Sequence, residues 1–227
     1  MADATPLPGG APVHSGPSEL QHHFDTPEQQ REASSLGMWV FLVTEILFFG
    51  GLFTAYVVYR HQYASAFAEA SRHLDVTLGT FNTAVLIISS LTMALAVHSA
   101  ATGRRKAIIF FLVATMVLGA VFLGVKAVEY HHKFEDHLVP GPHFQFPGPH
   151  ARPAEIFFSL YFTMTGLHAA HMIVGLGLLT VLVLQAHKGR YGPRYSTPVE
   201  VSGLYWHFVD VVWIFLFPLL YLIGRHA

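Results

Sequence analysis

The residues able to do chemistry stand where polar groups are rare: Glu45, Asn82, Glu129, His168, His171, His207 and Asp210 each fall in or at the edge of a long apolar run. Glu45 is the most informative. It lies inside Leu36 to Tyr59, LGMWVFLVTEILFFGGLFTAYVVY, and on a helix its neighbours one turn away are Phe41, Leu42, Phe48 and Phe49. An ionised carboxylate there is costly, so a neutral, protonated acid is expected unless another helix supplies a partner. Such a group exchanges protons, touches a polar ligand, or ties one helix to another by a hydrogen bond.

His207 precedes Asp210 by three residues and faces the same way on a helix. If the helices carrying Glu45 and Asp210 both start at the inner membrane surface, each acid lies about nine residues in, roughly 14 Å deep. The expectation is an inner polar level of Glu45, His207 and Asp210, in which the last two satisfy one another. His168 and His171 share a helix face, but no third ligand follows at helical spacing. They are expected, with Asn82 and Glu129, to serve helix packing rather than metal binding. The chain has no cysteine, which excludes disulfides, thiolate metal sites and cysteine nucleophiles. Phosphate loops, Gly-x-Ser-x-Gly elbows and His-Glu-x-x-His motifs are missing too.

The elements that must position these groups are membrane helices. Of 227 residues, 52% are hydrophobic and 12% charged, and the net charge of -1 gives no reason to expect nucleic acid as a partner. The expected fold is all-α, an integral membrane bundle of five transmembrane helices over residues 36–59, 78–101, 107–128, 154–184 and 201–224. Residues 1–34 read as a polar, mobile tail and 35–227 as the membrane domain. The tail holds no apolar core of the secretory type, so the first span is expected to act as the insertion signal. Thr26 or Asp25 is placed to cap a short helix with Pro27 at its first position. Residues 61–77 suit a short surface helix, and the five prolines between Val139 and Pro153 suit an extended loop.

The turn Gly103-Arg104-Arg105-Lys106 and the loop with Lys188, Arg190 and Arg194 carry the clustered positive charge. They place the amino terminus inside and the carboxyl terminus outside. Glu129 and the residues after it are expected at the outer interface, with Lys126 snorkelling toward it. Gly166, Gly175 and Gly177 allow a neighbour's close approach, and Pro218 is expected to bend the last span.

Five stretches carry a family resemblance: TEILFFGGLF (44–53), FNTAVLIISS (81–90), KAVEY (126–130), TGLHAAHMIVG (165–175) and YWHFVDVVW (205–213). Together and in this order they resemble subunit III of the haem-copper terminal oxidases, most of all the cytochrome c oxidase form. The resemblance implies a non-catalytic membrane subunit with no redox centre of its own, in the prokaryotic inner membrane. Haem and copper would belong to partner subunits I and II, where oxygen is reduced with proton pumping, and cytochrome c would dock on the complex rather than on this chain. The subunit would pack on subunit I, bind phospholipid, and support proton uptake and turnover stability. Glu45 falls on the family's carbodiimide-reactive glutamate, His168 and His171 on its Gly-x-His-x-x-His pattern, and His207 and Asp210 on its Trp-His-Phe-Val-Asp. Longer members have two further spans ahead of these five, and short members also occur in quinol oxidases. The rival from another class is a stand-alone proton-coupled carrier, which the absence of an internal repeat disfavours.

Overall fold

The computed structural model describes residues 24–147, 149–193 and 195–222. Described residues form six α-helices and a closing π-helical turn. The helices are α1 (Pro27–Gln62), α2 (Ala64–Arg72), α3 (Val76–Ala101), α4 (Arg105–Glu135), α5 (Ala151–His187) and α6 (Thr197–Phe217), with the turn at Pro218–Leu222. All but α2 are long and apolar enough to cross a membrane, α6 counting its π-helical turn. Most of the expected polar tail lies outside the described residues. Helix begins at Pro27, where it was expected: Thr26 Oγ1 accepts from Gln29 N–H at 3.2 Å, and Pro27 loses nothing by lacking an N–H in the first turn. The cap thus opens the first span itself, not a separate short helix.

Asp75 caps α3 by accepting from the Thr77 and Leu78 N–H groups at 2.8 and 3.2 Å. Three helices then stop in the same way. Arg104 N–H donates to Ser99 O and Gly103 N–H to Ala100 O; the corresponding pairs are Arg190 to Gln185 with Gly189 to Ala186, and Leu138 to Lys133 with His137 to Phe134. The pivot is a left-handed residue, at φ 71° in Gly103, 73° in Gly189 and 55° in His137. Arg105 then reaches across from α4 and donates to the carbonyls of Ala186 and His187, fastening the two positively charged turns together.

α3, α4, α5 and α6 form the packed bundle, and α1 lies against α5 and α6 as the least buried span. Trp206 sits at the centre. A methyl at Gly119 on α4 or at Gly175 on α5 would come within 2.9 Å of its ring, so both glycines make room for the indole, while nothing approaches Gly177. Its Nε1–H donates to Ser89 Oγ on α3 at 3.1 Å, which brings three helices onto one side chain. The expected surface helix α2 is half interior, with Phe67 wedged edge-on against Tyr56 and Phe157. Pro218 changes the last span from α to π geometry, and Leu219 O accepts from Tyr56 on α1 at 2.7 Å.

Candidate functional site

Each intramembrane acid has a different neighbourhood. Glu45 is mostly buried between α1 and α5, with Oε2 at 3.2 Å from His171 Nε2. The alignment is not that of a hydrogen bond, and Oε2 has no other partner among the described residues. His171 Nδ1 stands 2.9 Å from Leu167 O, and a carbonyl only accepts, so Nδ1 carries a proton. Nε2 therefore faces Glu45, and a proton shared between them would be held as carboxyl facing a lone pair or as carboxylate facing imidazolium. Either form is neutral as a pair. Phe49 packs its ring 5.5 Å from His171, and Tyr205 stacks on His171 at 6.5 Å and donates to His171 O.

The pairing expected between His207 and Asp210 is corrected. Ser90 on α3 intervenes: its Oγ lies 2.7 Å from His207 Nδ1. Asp210 is left buried with neither carboxyl oxygen in a well-formed hydrogen bond to a described residue, and the Ser90 hydroxyl, already 2.7 Å from His207 Nδ1, is the donor nearest in reach. Glu45 takes its partner from α5 rather than from this group.

His168 and His171 also part company. His168 is fully buried, its ring 5.3 Å from Phe122 and 5.2 Å from Trp213, with neither nitrogen bonded to a described residue. Asn82 donates to Phe122 O at 3.4 Å and leaves its carbonyl oxygen free of described partners. Among the described residues no group of three histidines or acids stands ready to hold a metal.

The largest departure concerns Lys126 and Glu129, which were expected at the outer interface. Both are buried, at 3% and 2% exposure. Lys126 Nζ donates to Glu129 Oε2 at 3.0 Å and to the hydroxyls of Tyr161 and Tyr221 at 3.3 and 2.9 Å. Those two hydroxyls in turn donate to Glu129 Oε1 at 2.9 and 2.5 Å. The rings of Tyr130, Tyr161, Trp213 and Tyr221 surround the ammonium with centroids 5.0–5.6 Å away. Sequence reasoning missed Tyr161, Tyr221 and the burial of Lys126. The signal that could have found them is the i, i+3 spacing of a base and an acid within an otherwise apolar helix.

A bundle of five apolar helices, each long enough to cross a membrane and with ionisable groups between them, defines a multi-pass membrane protein. Residues 19–225 match the sequence model of the family described as Cytochrome c oxidase subunit III, and the chain belongs to that family. It is 36% identical over 191 residues to the cytochrome c oxidase subunit 3 of Corynebacterium diphtheriae, covering 83% of this chain and 87% of that protein. It is 33% identical over 189 residues to the quinol oxidase subunit 3 of Bacillus subtilis (83% and 86%), and 31% identical over 224 residues to the cytochrome c oxidase subunit 3 of Alkalihalophilus pseudofirmus (99% and 98%). The protein is accordingly a multi-pass inner-membrane subunit of the haem-copper oxidase family, which displaces the stand-alone carrier reading.

Proposed function

We propose that this chain is the non-catalytic subunit III of a proton-pumping terminal oxidase of the cytochrome c type. In this reading it packs on subunit I, while subunits I and II hold haem and copper and cytochrome c docks on the assembled complex. Phospholipid covers its apolar faces, the amino terminus lies inside and the carboxyl terminus outside. It supports proton uptake and the durability of turnover. The observation that favours this reading is Glu45, an acid beside phenylalanines whose carboxyl faces the His171 imidazole in an apolar seam. Such a pair offers a proton without placing net charge in the membrane.

Purification from native membranes in mild detergent tests the proposal. Co-migrating haem and copper with oxygen consumption on reduced cytochrome c is the expected result; a colourless protein migrating alone would reject it. A second reading, subunit III of a quinol oxidase, is favoured by the quinol oxidase relative from Bacillus subtilis. Oxygen consumption on a quinol and none on reduced cytochrome c would select it.

A further inference from the structure

Between α3 and α6 runs a groove of about 380 Å³ whose walls are apolar and whose floor is not. Ser90 and Ala94 line it from α3, and His207, Asp210, Val211 and Ile214 from α6. Asp210 is 3% exposed, and neither carboxyl oxygen has a hydrogen-bond partner among the described residues. A buried carboxyl without a well-formed hydrogen bond keeps its desolvation penalty, so its neighbourhood is incomplete as it stands. A second groove, along Ile109 to Leu118 on α4, has apolar walls and only Lys106 at one end. Lipid chains satisfy that one fully.

Depth decides what could complete the first. Asp210 lies 13 residues from the start of the span Thr197–Leu222 and 12 from its end, roughly 18–20 Å from either. Lipid headgroups stay nearer the surface and acyl chains bring no donor. The α3 wall offers Ser90 and Ala94 one turn apart, the small-residue spacing that lets a second helix backbone approach closely. We infer that the α3–α6 groove is a docking site for a transmembrane helix of a partner subunit, one that brings a hydroxyl or amide donor to Asp210. The inference rests on the reading that this chain works within an oxidase complex.

The test uses the intact complex with a benzophenone amino acid at Val211, which is 47% exposed in the groove, or at Phe110 on the α4 groove as control. Illumination is expected to join residue 211 to another subunit and residue 110 to lipid alone. Ala94→Leu is expected to lower recovery of this chain with the haem-bearing subunits on the order of tenfold, while thermal unfolding of the isolated chain in detergent stays unchanged because Ala94 is exposed. Lipid adducts alone at 211, or full recovery of the Ala94→Leu chain, would overturn the groove while leaving the oxidase reading intact. A parent chain that never co-purifies with haem would overturn both.

Discussion

Glu129 and Asp210 are both buried acids in apolar helices, yet one accepts three hydrogen bonds and the other none. Glu129 is enclosed by Lys126, Tyr161 and Tyr221, so α4, α5 and the final turn are fixed relative to one another by a group that needs nothing further. Asp210 is complete only when something outside the described residues reaches it. Burial alone therefore does not separate a structural acid from a site, whereas the state of its hydrogen bonds does. Glu45 stands between the two, with one partner at 3.2 Å and imperfect alignment.

The sharpest attack on this contrast is Lys126→Met. It strands Glu129 as an uncompensated buried charge and is expected to cost about 3–5 kcal/mol, read from unfolding of the detergent-solubilised chain. Adding Glu129→Leu to it should recover more than half of that loss; if the double variant is no better than the single, packing rather than charge holds the cluster. Tyr221→Phe removes one donor to the carboxylate and is expected to cost about 1.5–3 kcal/mol in the same assay. Asp210→Leu should change the isolated chain by less than about 1 kcal/mol, or stabilise it, since no hydrogen bond is lost. A penalty as large as that of Lys126→Met would erase the distinction. The smallest effect is expected of Glu45→Gln, whose amide still faces His171 Nε2: assembly should persist while carbodiimide labelling disappears. Undiminished labelling would move the reactive carboxyl elsewhere.

The spans were legible because each is a run of apolar residues bounded by charge, and the cap at Thr26 because Thr-Pro is a local signal. Partners within the membrane were not, because depth along a helix is readable from sequence while rotation about its axis is set by packing. His168 and His171 illustrate this. At i, i+3 they differ by about 60° in direction, enough to send one into the core against Trp213 and the other to α1. Lys126 was misplaced for another reason. Snorkelling needs a nearby helix end, and α4 continues to Glu135, nine residues further and roughly 14 Å away. His207 turned to Ser90, a contact 117 residues distant that no local pattern announces.

One bond joins the two extremes of the described bundle: the phenol of Tyr56 on the first span and the main-chain oxygen of Leu219 in the widened last turn. During synthesis the leading span enters the bilayer well before residue 219 exists. Until then that phenol is without its mate, and the span rests only on its contacts with α2, α5 and α6. The earliest helix to be made is therefore the latest to be latched, and the final turn of the chain closes the bolt.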